Sequence, residues 1–117
     1  MAIQILDNLT ASPNPTTLGK RIDLRQTLVS NRAQESIRIA YRLDPRIDVW
    51  FQDGDAAPAK SFVRQETVGQ TAKVCDDRIT LVLGPGTGPI DIVQIDQTIT
   101  DQGGLATPDL VLVQIQR

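Results

Sequence analysis

The chain has 117 residues, of which 40% are hydrophobic and 22% charged, with a formal net charge of −2 and a pI of about 4.9. A chain of this length fits a single domain over residues 1–117, and its mild acidity argues against a nucleic-acid partner. It has no histidine and one cysteine, which excludes the usual general base, the usual metal ligand and an intrachain disulfide.

The N-terminal half consists of alternating apolar and polar residues, which is typical of half-buried strands. A first strand over residues 3–10 ends at a Ser-Pro-Asn-Pro corner, because proline fixes φ and has no amide proton. Strands follow over residues 21–28 and 36–43 and around 47–51. The residues predicted to point inward in these strands are Ile22, Leu24, Leu28, Ile37, Ile39, Tyr41, Leu43, Ile47, Val49 and Phe51.

The C-terminal half gives weaker signals. Residues 61–68 and 71–75 are two short strand candidates, Asp76-Asp77 is interpreted as turn chemistry, and Ile79, Leu81 and Leu83 alternate before a glycine- and proline-rich loop over 84–89. A one-residue change of phase between Ile92 and Val93 predicts a bulge or a bend. An Asp-Gln-Gly-Gly turn then leads to a final apolar strand over 110–115, in which Val113 is predicted to be buried, as is Ile95 upstream.

These short strands, spaced by turns and without a sustained helical period, predict an all-β protein. The order of signals resembles bacterial and phage immunoglobulin-like domains. The resemblance is carried by residues 9–19 with the Ser-Pro-Asn-Pro corner and Gly19, by the strands 21–29 and 36–43, and by the late pair 90–100 and 109–116. It implies an immunoglobulin-like β-sandwich of about seven to nine mostly antiparallel strands, and it implies no catalytic residue.

We expect no catalytic residue, no cofactor and no metal site. Cys75 is interpreted as a small buried hydrophobe, although Lys73 or Arg78 would activate it if either cation lowered its pKa. Two interpretations of the predicted loop aspartates (Asp53, Asp55, Asp76, Asp77 and Asp101) remain. They are ordinary turn residues, or they come together to bind Ca²⁺. We therefore predict a non-enzymatic protein.

The predicted role is contact with other proteins. Trp50 falls on the outer face of its strand, where either the following loop or a partner covers it. The N-terminal strand and the final strand 110–115 are candidate open edges for strand addition. The residues predicted to contact a partner are Trp50, Asp53, Asp55, Leu110 and Leu112.

The expected function is that of an accessory or decoration protein on a phage or phage-like particle, binding a capsid or other shell protein, itself, or both. This follows from the start at Met1 without an export leader or membrane segment, which places the chain in the virion or soluble in the cytoplasm before assembly. The alternative is an adhesion or carbohydrate-binding immunoglobulin-like domain cut from a longer surface protein.

Overall fold

The computed structural model describes residues 3–84 and 90–116, and all the regular structure in these ranges is β-strand. The described residues contain no helix that could span a membrane. The described residues form nine strands: β1 (Ile3–Ser12), β2 (Thr16–Thr17), β3 (Arg21–Ser30), β4 (Glu35–Arg42), β5 (Val49–Gln52), β6 (Ser61–Val68), β7 (Lys73–Leu83), β8 (Ile92–Thr100) and β9 (Ala106–Gln116).

The strands form two sheets that enclose one hydrophobic core. Sheet A has the order β1-β3-β7-β5 and sheet B the order β2-β9-β8-β4-β6. Among the described strands, all long neighbours are antiparallel, and the two-residue pairing of β2 with β9 is parallel. The prediction of an all-β chain with two sheets is confirmed.

The alternating pattern determines which side chains form the core, because successive residues of a strand point to opposite faces of its sheet. Each of the eight inward residues Ile22, Leu24, Ile37, Ile39, Tyr41, Leu81, Ile95 and Val113 is at most 1% exposed. Sheet A contributes the first two and Leu81, and sheet B contributes the others, so the core lies between the sheets. These predictions from alternation are confirmed.

The proline corner joins the two sheets. It follows β1 of sheet A and precedes β2, and the Ser12-Pro13 and Asn14-Pro15 peptide bonds are both cis. Gly19 then adopts φ +92° and donates its amide to the Leu81 carbonyl at 2.7 Å. A left-handed φ of this kind is open to glycine without steric penalty, which explains the residue type before β3.

Four details of the sequence interpretation are wrong. Asp76 and Asp77 lie in the middle of β7, which joins the segments 71–75 and 79–83 into one strand of 11 residues. Leu83 is 51% exposed at the end of that strand. Ile47 lies in a turn before β5 and not in the strand, although its side chain packs against the core as predicted. The change of phase at Ile92 reflects a strand that begins there with its side chain outward, since β8 pairs with β9 without a register shift.

One further prediction cannot be placed. The loop expected over residues 84–89 lies outside the described residues, apart from Gly84.

Candidate interaction surfaces

An apolar strip crosses the outer face of sheet B. Ile92 on β8 and Leu110 and Leu112 on β9 are 56%, 48% and 50% exposed. Leu112 lies opposite Gln94 and diagonal to Ile92, and Leu110 is two residues along the same strand, so the three side chains are neighbours on one face. The structure therefore places two of the residues predicted to contact a partner, Leu110 and Leu112, next to each other and beside Ile92, the residue at which the sequence analysis placed a change of phase.

Charged and polar side chains border this strip. Asp96 lies opposite Leu110 on one side and opposite Arg42 on the other, and it accepts a 2.8 Å hydrogen bond from Gln94. A shallow depression beside Leu110 is lined in part by Arg42, Asp96 and Pro108. Arg42 makes no ion pair with any described residue, and neither does Arg38 on the same strand and face. The strip is thus bordered by the Asp96 carboxylate and, beyond it, by the Arg42 guanidinium group, whereas Arg38 lies opposite Thr100, four residues farther along β4.

The other predicted contact residues lie on a different sheet. Trp50 is on the outer face of β5, which is an edge strand of sheet A. Its indole Nε1 donates to Asp48 Oδ1 at 3.0 Å, and the Lys60 ammonium lies 4.2 Å from the ring centroid. A cation this close to an aromatic face is attracted by the ring quadrupole. The loop after β5 therefore supplies an intramolecular cover for Trp50, which was one of the two alternatives predicted for this residue.

Asp53 connects this loop to a partly buried ionic network between the sheets. Arg64 of β6 binds Asp53 at 3.0 Å and lies 3.8 Å from Asp77 of β7. The Tyr41 hydroxyl donates to the other oxygen of Asp77 at 2.7 Å. Arg64 also lies over the Phe62 ring at 4.8 Å, and Phe62 stacks on Tyr41 at 4.7 Å. The network therefore ties β6 of sheet B to β7 of sheet A.

Burial dominates the titration of this network. Loss of hydration raises the pKa of Asp77, and the Tyr41 hydroxyl and the Arg64 charge offset this only in part. Burial, followed by the hydrogen bond to Asp77, also raises the pKa of Tyr41, which keeps the phenol protonated as the donor of this bond. Asp77 is 6% exposed, so its carboxylate is a structural group of the sandwich interior.

The predicted loop aspartates do not converge. Asp53 is paired with Arg64, and Asp76 is paired with Arg25 across β3 and β7 at 2.8 Å. Asp55 is exposed in the turn after β5. Within residues 3–84 and 90–116, no three acidic or cysteine side chains lie close enough to hold a metal ion together.

Cys75 points into the core from β7 and is 1% exposed. Its burial, more than any neighbouring charge, raises the pKa of the thiol to about 11. Lys73 lowers this pKa, but its effect is smaller than those of burial and of the Glu66 charge, with which its ammonium pairs at 2.9 Å. Cys75 is therefore placed as the buried hydrophobe that the sequence suggested, since a protonated buried thiol is a poor nucleophile.

Sequence reasoning missed a buried amide pair in the core. Gln26 on β3 and Gln97 on β8 are each 1% exposed. Gln26 Nε2 donates to Gln97 Oε1 at 2.6 Å, and Gln97 Nε2 donates back to Gln26 Oε1 at 2.9 Å. A signal was present, because each glutamine occupies the inward phase of its strand, between Leu24 and Leu28 or beside Ile95.

Glu35 is a second buried polar group that was missed. Its side chain is fully buried at the start of β4, where one carboxylate oxygen accepts the Gln102 amide at 3.0 Å and the other lies 3.5 Å from Arg32 Nε. Gln102 returns a bond to this strand, since its side-chain oxygen accepts the Ser36 amide at 3.0 Å. The pair fixes the β8–β9 turn against the start of β4.

Comparison with known proteins gives a likeness of fold and no family. No protein-family profile matches the chain, and no curated protein matches it. A solved structure that it resembles is Spo0M, a sporulation control protein from Bacillus subtilis, with a TM-score of 0.59 and 14% sequence identity. The match covers 100% of this chain and 50% of that protein, so the chain spans half the length of Spo0M. At this identity the likeness concerns the fold alone.

Proposed function

We propose that this chain is a non-enzymatic structural module with an immunoglobulin-like sandwich, and that it acts by binding another protein through the outer face of sheet B. The single observation that carries the proposal is the strip of Ile92, Leu110 and Leu112, three adjacent aliphatic side chains that are each about half exposed. Isolated exposed leucines are common on protein surfaces, whereas a contiguous group of this kind is typical of contact surfaces.

The strip is large enough to contribute to binding. Full burial of a leucine or isoleucine side chain is worth about 1.5–3 kcal/mol, so covering the exposed half of these three contributes about 3 kcal/mol before the losses of association. Arg42 adds a preference for a partner that presents carboxylates, because it lies in the depression beside Leu110 and forms no ion pair with a described residue. The expected partner surface is apolar with an acidic rim.

The partner class we propose is the shell protein of a phage or phage-like particle, which makes the chain an accessory or decoration protein. A β-domain with an apolar contact face suits this role, since such a protein needs only to attach to a regular surface. The second candidate is a domain of a cell-surface adhesion protein. The two differ in their ligand, because the first binds assembled shells and the second binds a cell-surface protein or glycan.

The test is co-sedimentation with particles assembled from a candidate shell protein. The variant Leu110→Ser/Leu112→Ser removes most of the strip, and we expect its affinity for the shells to fall by about tenfold or more, corresponding to a loss of at least ~1.4 kcal/mol. The matched control is Val74→Ser, which removes a 57% exposed aliphatic side chain from the outer face of sheet A. The control is expected to bind as the wild type does.

Circular dichroism and thermal melting establish that both variants are folded. Equal loss of binding in the strip variant and in the control would contradict the assignment of this face. Absence of wild-type binding to the shells, together with binding to host cells, would favour the adhesion function.

A further inference from the structure

The edge strands of the two sheets differ in how well their backbone hydrogen-bonding groups are covered. An edge strand exposes unpaired amides and carbonyls that can pair with another chain, and folded proteins usually block such edges. Of the edges formed by described strands, sheet A ends in β1 and β5, while sheet B ends in β6 and, beyond the two residues of β2, in β9.

Both edges of sheet A are blocked. The pairing of β1 with β3 shifts register twice, between Ile5 and Asp7 and again between Asp7 and Thr10, which breaks the regular row of amides. Along β5, Phe51 exchanges two backbone hydrogen bonds with Ala59, so the loop after β5 occupies this edge as a neighbouring strand would. Neither strand presents a regular free edge.

The β9 edge of sheet B is also blocked, which corrects the prediction that the final strand is open. The Asn14 side chain donates to the Leu112 carbonyl at 3.0 Å and accepts the Gln114 amide at 2.9 Å, as a neighbouring strand would. These bonds show that the even-numbered residues of β9 face away from β8. The same alternation turns Pro108, which has no amide proton, toward the edge.

In contrast, β6 has a long and regular free edge. It pairs with β4 over all eight residues without a register shift and pairs with no other described strand. The Leu43 amide, just after β4, binds the Lys60 carbonyl, so the even-numbered residues of β6 face β4 and the odd-numbered ones face outward. The backbone groups of Val63, Gln65 and Thr67 therefore form the free edge.

Few side chains cover this edge. The Lys73 ammonium binds the Thr67 carbonyl at 3.0 Å, and the Arg64 guanidinium reaches the Val63 carbonyl at 3.4 Å. A carbonyl oxygen has two lone pairs, so each of these two can still accept a bond from a strand. The backbone of Gln65 has no partner among the described residues.

We infer that β6 is a homodimerisation edge, at which the β6 strand of a second copy pairs antiparallel about a two-fold axis through Gln65. Val63 then pairs with Thr67 of the second copy, and the reverse pair follows by symmetry. On the core side of the sheet, Arg64 of each copy then lies opposite Glu66 of the other, and Phe62 of each copy lies opposite Val68 of the other. Arg64 and Glu66 then face each other as opposite charges in addition to their intrachain partners Asp53 and Lys73, whereas Val68 is already fully buried and gains no new contact area. Opposite charges placed directly across two strands are stabilising, which makes this edge complementary to itself.

The neighbouring registers are less favourable. The odd-numbered residues, whose backbone groups form the free edge, must pair with odd-numbered residues of the second copy. The register can therefore change only by shifts of two residues. A shift that centres the axis on Arg64 places the two guanidinium groups opposite each other, and like charges in this position are destabilising. A shift that centres it on Val63 leaves Thr67 and Val68 unpaired and requires Lys60, which is held by the backbone of β5. The register through Gln65 uses seven of the eight residues of β6.

Cysteine cross-linking tests both the dimer and its register. In the proposed pairing the two Gln65 Cα atoms lie about 5.5 Å apart, which is within the range that a disulfide bridges. We expect Gln65→Cys to form a covalent dimer under mild oxidation at least about tenfold faster than Gln94→Cys, because cysteines held opposite each other react at a high effective concentration. Gln94 is the matched control, since it is an exposed glutamine on the same face of sheet B but away from the edge.

Register is tested by a second set of variants. Val63→Cys and Thr67→Cys alone are expected to cross-link slowly, whereas the double variant Val63→Cys/Thr67→Cys is expected to cross-link rapidly. Wild-type protein gives the background, because its single cysteine is buried and its thiol is protonated. Light scattering of the reduced wild type is expected to show a molecular mass that rises with concentration toward twice the monomer value.

Two results would overturn the inference. One is equal cross-linking of Gln65→Cys and Gln94→Cys, which would indicate random collision. The other is a wild-type mass that stays monomeric at all concentrations while Gln65→Cys fails to cross-link. The inference does not rest on the proposed function, since binding to a shell protein appears in none of these measurements.

Discussion

The buried glutamine pair provides a strong test of how the two sheets are held together. Replacing Gln26 alone by methionine, an unbranched residue of similar length, leaves the Gln97 amide in the core with neither its donor nor its acceptor satisfied. Leaving such a buried polar group unpaired costs about 1–3 kcal/mol, so we expect each single variant to lose about 2 kcal/mol of unfolding free energy. For a domain of this length that corresponds to a melting temperature lower by about 8 °C.

The double variant is expected to behave differently. Gln26→Met/Gln97→Met removes both polar groups and leaves two apolar side chains in contact, and such a replacement is often nearly neutral. We therefore expect the double variant to lie within about 1 kcal/mol of the wild type, some 3 kcal/mol more stable than the sum of the single effects. Urea unfolding followed by circular dichroism measures all four proteins under the same conditions.

Additivity would refute this reasoning. If the double variant lost the sum of the two single losses within about 0.5 kcal/mol, the two amides would be independent. The 2.6 Å and 2.9 Å bonds between them would then make no net contribution. A stable double variant would show that the amide pair is dispensable for stability. Its remaining role would then be to fix the position of β3 in sheet A relative to β8 in sheet B.

Two further predictions concern the β9 edge and the buried carboxylate. Asn14→Ala removes the bonds to Leu112 and Gln114, and we expect a loss of about 1–2 kcal/mol in urea unfolding together with increased aggregation, whereas a wild-type-like variant would show that this edge needs no cover. Because burial raises the pKa of Asp77, the folded state holds its proton more tightly than the unfolded chain, so its contribution to stability is greatest below pH 4 and is lost as the pH rises through the raised pKa. Asp77→Asn is expected to gain stability relative to the wild type over that pH range, and parallel stability curves for the two proteins would contradict the assignment.

The part of the fold that follows from local alternation could be predicted from the sequence. The run Ile22, Leu24 and Leu28 has the same phase as the buried face of β3, because a strand alternates its faces with period two regardless of its neighbours. The buried polar residues follow the same rule, since Gln26 lies in phase with this run and Asp77 in phase with Ile79. Their burial was missed because residue type was given more weight than phase.

Pairing between distant strands could not be predicted in this way. Asn14 occupies the β9 edge across about 100 residues of chain, and no local pattern records which edge a corner will meet. Asp76 was interpreted as turn chemistry because aspartate is depleted in strands, and only the facing Arg25 on β3 explains its place in β7. The exposure of Ile92 could not be predicted, because it depends on where β8 begins. The glycine- and proline-rich residues before Ile92 have no alternating pattern from which that position could be read.

The two surfaces inferred here impose a geometry on any assembly. In a β6-to-β6 dimer the order of strands is β9-β8-β4-β6 followed by its reverse. Each apolar strip lies on β8 and β9, so the centres of the two strips are about six strand steps apart, or about 29 Å. Each step also twists the sheet by about 20°, which accumulates to roughly 120° over six steps. The two strips therefore face in widely different directions, and a flat partner cannot contact both. A dimer of this kind links two partner molecules to each other instead of gripping one of them twice.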